Sequence, residues 1–157
     1  MPQLGPYVQT RSRTTVAMPR DRLARGPTAI AGGKGGCGKT TTVLGLALAL
    51  VRRGRRPVVV DADVDVPDLH IRANVDREPG LPALARGARP TQVIQPSPAF
   101  RGLGVISAGT ADTAADVGIR HLAPLDRPVL VDCPAGASPD AAAPLRAAER
   151  TVLVTLN

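Results

Sequence analysis

Both lysines of this chain, Lys34 and Lys39, fall in one nine-residue glycine-rich stretch, GGKGGCGKT. Lys and Arg together number 20, so the other 18 basic positions are all arginine, and a sequence so biased does not gather its two exceptions by chance. Residues Gly33 to Thr40 fit the pattern G-x-x-x-x-G-K-[ST]. Such a turn cradles phosphate when an apolar strand leads into it and a helix leaves it. Thr28 to Ala31 supplies the strand, and Thr40 to Arg53, with the body VLGLALALV, supplies the helix.

Gly33, Gly35, Gly36 and Gly38 can take backbone conformations closed to larger residues, so several N–H groups can face one anion. The start of the helix adds its positive end. Lys39 brings a point charge to the terminal phosphates, worth about 4 kcal/mol at ~4 Å and an effective dielectric of about 20. The Thr40 hydroxyl is placed to ligate Mg2+. With Lys34, Cys37 and Thr41 these residues make up the candidate nucleotide-binding stretch. A flexible glycine turn with incidental lysines is the competing reading, and it leaves the flanking strand and helix unexplained.

At 157 residues and 43% hydrophobic content, the chain can bury the core of one domain. One Phe, one Tyr and no Trp make that core aliphatic and argue against base stacking on an aromatic platform. The longest apolar run, Val43 to Val51, is about half of a membrane span. No secretory signal is recognisable, and the expected compartment is the cytoplasm, where ATP is available.

The net charge of +7 is unevenly spread. Residues 1–27 hold Arg11, Arg13, Arg20, Arg22 and Arg25 against Asp21, which leaves 15 basic and 12 acidic residues for the rest. The first 27 residues, polar and without a period, read as a disordered basic arm, with Met18 an alternative start and a targeting arm the competing idea. Arg52, Arg53, Arg55 and Arg56 end the first helix, where cations suit the negative helix end. Contact with a DNA backbone or an acidic lipid is the alternative use for them.

Strands and helices alternate along the remainder. Pro57 to Asp61 reads as a buried strand, Leu81 to Arg86 as a short helix, Leu103 to Ser107 as a strand and Ala114 to Leu122 as a helix. Val129 to Val131 is a further apolar run, ending at Asp132. Ser138-Pro139 starts a helix that runs to about Arg150, and Thr151 to Leu156 is a last strand. This alternation predicts an α/β fold: a mostly parallel sheet covered on both faces in three α/β/α layers. Loops at the carboxyl ends of such strands share one crevice, so the glycine turn, Asp61, Asp63 and Asp132 should meet there. Asp132 is the candidate Mg2+ ligand. Asp61 and Asp63 share a face if the strand continues through Asp63, one orienting water and the other supporting the metal shell.

KGGCGKTT (Lys34–Thr41), VVVDADVDVPDLH (Val58–His70) and VLVDCPAG (Val129–Gly136) resemble, in family order, the deviant Walker A, switch I and Walker B segments of the ParA/MinD family of P-loop ATPases. The resemblance leans towards the MinD side. It implies that Lys34 reaches the phosphates of a partner in an ATP-dependent homodimer, that Asp63 positions the hydrolytic water, and that Thr40, Asp61 and Asp132 surround Mg2+. Lys34, Lys39 and Asp63 are then the catalytic set. It further implies a switch that engages a regulatory protein, membrane or DNA in one nucleotide state only. Family members continue beyond the last strand with further strands and helices, including an adenine-holding segment and, in MinD proteins, a membrane helix. Residues 28–157 are therefore expected to be a truncated domain with one bare sheet edge. A non-hydrolysing remnant that binds nucleotide or a full-length relative is the alternative function. Asp68 stands where many relatives carry asparagine. No C-x-x-C is present, and Ala135 occupies the position where a nitrogenase-iron-protein-like role would want a cysteine, so no iron–sulfur cluster is expected and Cys37 and Cys133 read as small buried residues.

Overall fold

A computed structural model describes residues 8–9, 15–16, 26–110, 115–136 and 138–155. Most of the arm read over residues 1–27 lies outside these. Within it β1 (Val8–Gln9) and β2 (Thr15–Val16) pair antiparallel, with Val8 opposite Val16.

The domain proper runs β3 (Pro27–Ala31), α1 (Lys39–Arg52), β4 (Val58–Asp61), α2 (Leu69–Ala73), α3 (Leu81–Ala85), α4 (Pro90–Val93), β5 (Gln95–Pro96), β6 (Gly104–Ile106), α5 (Ala115–Arg120), β7 (Val129–Asp132), α6 (Pro139–Ala147) and β8 (Arg150–Leu153). Six strands form one sheet in the order β5-β6-β4-β7-β3-β8. Every neighbouring pair is parallel except β5 with β6. The mostly parallel α/β architecture read from the sequence is the one observed.

The pleat divides the core in two. Val58 and Val60, Val129 and Val131, and Ala29 and Ala31 face one layer with Leu81, Leu84, Ile119 and Leu122. Val59, Leu130 and Ile30 face the other, against Val43, Ala47 and Leu50 of α1. Strands covered on both faces carry apolar residues at every position, so VVV and VLV are continuous runs rather than alternating ones. Among the described residues no helix is long and apolar enough to cross a membrane.

Most boundaries shift by a residue or two from those expected. The helix that begins after Ser138 is capped as anticipated, Ser138 Oγ accepting from Ala141 N at 3.1 Å. It stops at Ala147 because Glu149 N donates to Pro27 O at 2.9 Å, which draws the chain into the sheet and starts β8 at Arg150. α2, α4 and β5 have no counterpart in the sequence reading. The two helices are too short for a period, and β5 contains a proline tolerated only at an edge.

Candidate functional site

α1 starts directly from the glycine turn. Gly36 and Gly38 have φ of 75° and 94°, left-handed values that a side chain resists, and Gly38 is the N-cap of α1. No side chain caps the helix and its first turn holds no acidic residue. Its leading N–H groups are thus left for an anion. A Cβ built on Gly33, Gly35, Gly36 or Gly38 meets nothing within 4 Å, so the concave side of the turn is open. Gly32, just before it, has no such room: a Cβ there collides with Cys37 Sγ and lies 2.9 Å from Val154 O. Cys37 is buried against Ile30 and Val43, so its side chain pins the turn to the core while its backbone stays in the loop.

The two lysines part company. Lys39 is only 9% exposed, whereas Lys34 is exposed. Thr40, beside Lys39, donates its hydroxyl to the Asp132 carboxylate, and Thr41 is exposed. Asp132 ends β7, the strand next to β3, with Ile30 opposite it. Its Oδ1 is buried with no hydrogen-bond partner among the described residues. Burial pushes its pKa up to about 6; Thr40 opposes that shift, the charge of Asp68 adds to it, and Lys39 opposes it again. A buried, orphaned carboxylate oxygen beside a threonine hydroxyl at a helix start fits a hard cation, for which oxygen donors are the preferred ligands.

Asp61 stands beside Asp132 in register on β4. Its Oδ1 accepts from Asp63 N and its Oδ2 from Leu69 N, both at 3.1 Å. Burial lifts its pKa to about 7, against the pull of these two amides. The expectation that Asp61 and Asp63 share a strand face is corrected here: β4 ends at Asp61, and the chain turns back so that the Asp63 amide bonds the Asp61 side chain. An aspartate accepting from the residue two positions on is an Asx-type turn, which competes successfully with one more residue of strand. Asp63 Oδ1 in turn accepts from Val66 N at 3.1 Å. Asp61 therefore clasps residues 62–69 as a loop, and each of its oxygens keeps a second lone pair.

The sequence reading gave no role to three participants. Gly32 is needed for close approach, the Leu69 amide closes the clasp, and Asp68 brings its charge near Asp132 while pairing with Arg72 Nε at 2.7 Å. Gly32 left a signal as one more glycine before the motif and Asp68 as a departure from the family pattern, whereas the Leu69 amide left none. Cys133 is buried, its thiol donating weakly to Val131 O at 3.8 Å and its pKa pushed up to about 12 by burial first and Asp132 second.

Residues 28–143 match the family described as the CobQ/CobB/MinD/ParA nucleotide binding domain. The chain belongs to this family. As a CobQ/CobB/MinD/ParA domain it is similar to an uncharacterized ATP-binding protein of Methanocaldococcus jannaschii, 29% identical over 136 residues, which are 80% of this chain and 51% of the relative. Its fold is similar to the cell division ATPase MinD of Pyrococcus furiosus, with a TM-score of 0.71 and 31% identity over 83% of this chain and 59% of that one. It is also similar to the septum site-determining protein MinD of Pyrococcus horikoshii, complexed with Mg-ADP, with a TM-score of 0.68 and 29% identity over 83% and 57% of the two chains. The CobQ/CobB/MinD/ParA domain seen here thus spans between half and three-fifths of the length of these relatives.

Proposed function

We propose that this protein is a Mg2+-dependent ATPase of MinD/ParA type, a cytoplasmic nucleotide-controlled dimerisation switch serving division-site placement, partitioning or assembly. The observation that carries the reading is the convergence at the carboxyl ends of β3 and β7 of a capless helix start, the buried Lys39, and a Thr40–Asp132 pair with a free carboxylate oxygen. The Mg-ADP complex of the P. horikoshii relative supports the choice of ligand.

In this reading the N–H groups of Gly33 to Thr41 hold the phosphates and Lys39 neutralises the terminal ones. Thr40 and Asp132 hold Mg2+, which supplies charge neutralisation during phosphoryl transfer. Asp61 keeps the 62–69 loop folded so that Asp63 can orient a water. Lys34, exposed at the mouth of the turn, reaches the phosphates of a second copy.

Phosphate release by the intact chain, lost in both Lys39→Ala and Asp63→Ala, is the expected result. Nucleotide uptake without any turnover would replace the ATPase with a nucleotide-binding module. No uptake of Mg-ATP or Mg-ADP by calorimetry would remove the proposal altogether.

A further inference from the structure

Asp68 occupies the N-cap position of α2 without capping it: its carboxylate takes no hydrogen bond from the amides of the first turn. An aspartate at that position ordinarily accepts from the second or third amide of the helix. Here Oδ2 accepts from Arg72 Nε at 2.7 Å instead. That pair spans one turn of α2 and both side chains are exposed. An exposed pair of this kind stabilises a fold little. Neither the helix nor the ion pair therefore accounts for a carboxylate at residue 68.

The chain around Asp68 is anchored beside the buried acids. Leu69 N, the next amide, donates to Asp61 Oδ2 at 3.1 Å. Asp61 lies opposite Asp132 on the adjacent strand, and Ala62 N donates to Asp132 O at 2.9 Å. The clasp thus returns residue 68 from the 62–69 loop to the carboxyl ends of β4 and β7. Burial pushes the pKa of Asp132 up and the Thr40 hydroxyl opposes it; next in strength comes the charge of Asp68, ahead of that of Lys39. Asp132 is only 4% exposed, and its Oδ1 has no hydrogen-bond partner among the described residues to offset a second carboxylate. A hard cation beside Asp132 makes the same pairing favourable. Among the described residues no three His, Cys, Asp or Glu side chains converge as direct metal ligands. Mg2+ sheds water reluctantly and keeps several waters in protein sites, so a carboxylate beyond ligand range can still accept hydrogen bonds from them.

We propose that Asp68 is a positioning residue of the cation site, accepting from the water shell of Mg2+ and so setting how strongly the metal is coupled to the nucleotide. This role rests on the Mg2+-nucleotide site proposed for Thr40 and Asp132. Those two residues hold the ion, and Asp68 adds a negative charge outside them. Without a metal the same charge opposes the phosphates of a nucleotide. Asp68 therefore favours the Mg2+-bound nucleotide over the metal-free one in both ways. Residue 68 reaches the site only while Leu69 N holds Asp61, so this preference belongs to the closed form of the 62–69 loop.

The test is calorimetry of ADP uptake by the full chain at a series of free Mg2+ concentrations, from none, in EDTA, to saturating. Asp68→Asn should raise the Mg2+ concentration of half effect about five- to tenfold, as expected for one charge acting on a divalent ion across a layer of water. Uptake in EDTA should be no weaker than in the parent. Asp68→Glu, which keeps the charge, should recover most of the Mg2+ response. Arg72→Gln, which removes the ion pair and keeps the carboxylate, should leave the half-effect concentration within about twofold of the parent. An unmoved half-effect concentration in Asp68→Asn overturns the role and leaves the nucleotide site standing, whether uptake is unchanged or is weakened equally at every Mg2+ concentration, the mark of a loosened loop. So does an Arg72→Gln variant that matches Asp68→Asn, or parent uptake that does not respond to Mg2+. Absence of ADP uptake by the parent at any Mg2+ concentration removes the nucleotide site and this role with it.

Discussion

Asp61 and Asp132 end adjacent strands in direct register, so two buried carboxyl groups lie side by side at the point where the phosphate loop leaves β3. Neither has a cation against it sufficient to cancel the cost of burial, and both are pushed up in pKa, to about 7 and about 6. The arrangement is costly by itself and is relieved by a positive charge placed beside it.

That cost has a sign in pH. Both groups have folded pKa values above the unfolded aspartate value of about 3.9, so the fold prefers them neutral. Their contribution to stability is full below pH ~4 and is lost as pH rises through 6 to 7. Each pKa unit corresponds to about 1.4 kcal/mol, so the ligand-free chain should lose a few kcal/mol between pH 4 and 8. Asp61→Asn should flatten this fall, and Mg-ADP should raise the melting temperature more at pH 8 than at pH 5. Thermal unfolding across that range checks both. A stability profile unchanged by Asp61→Asn would show that the burial cost is absent.

The two kinds of glycine should respond in opposite ways. Gly32→Ala drives a Cβ into Cys37 Sγ and towards the carbonyl of Val154, a backbone atom that cannot turn aside, and should cost about 1–3 kcal/mol. Gly45 lies in α1 with open space where its Cβ would be, so Gly45→Ala should stabilise by about 0.5–1 kcal/mol. Denaturant unfolding of the two variants decides the matter, and equal effects would refute the close approach at Gly32.

Cys133 should resist alkylation. With its pKa pushed up to about 12 and its side chain buried, almost no thiolate is present at pH 8, and the thiolate is the reacting species. In native protein at most one thiol, that of Cys37, should react with a maleimide on the minutes scale, and both should react in denaturant. Rapid labelling of Cys133 in the folded chain would contradict the burial.

The glycine turn between a strand and a helix, the apolar strands themselves and the place of Asp132 at a strand end were legible in the sequence because each is fixed by local chemistry: glycines, a lysine, and continuous apolar runs ending in acid. The clasp at Asp61 was not. It depends on an amide eight residues away, at Leu69, and on the chain turning back directly after the strand end at Asp61; neither leaves a period or a motif. α2 is a helix of five residues with no side-chain cap, so the contact of its first amide with Asp61 replaces the signal that a cap would have given. The position of Asp68 beside Asp132 is likewise a result of that loop closure and not of spacing.

The difference in burial between the two lysines separates their roles in a way that experiment can read. Lys39 is enclosed beside Asp132, so Lys39→Ala should abolish measurable nucleotide uptake in a single chain. Lys34 is exposed and its loss removes no internal contact, so Lys34→Ala should fold and bind Mg-ADP as the parent does. If Lys34 acts on a partner's phosphates, turnover should nevertheless fall, by about a thousandfold where a trans-acting cation of the arginine-finger kind is removed. Parent and Lys34→Ala chains should also differ in the concentration dependence of turnover, since only the parent gains activity on pairing. Calorimetry for uptake and phosphate release against protein concentration provide the two readouts. Equal loss of binding in both variants would place the two lysines on the same phosphates and remove the need for a second copy.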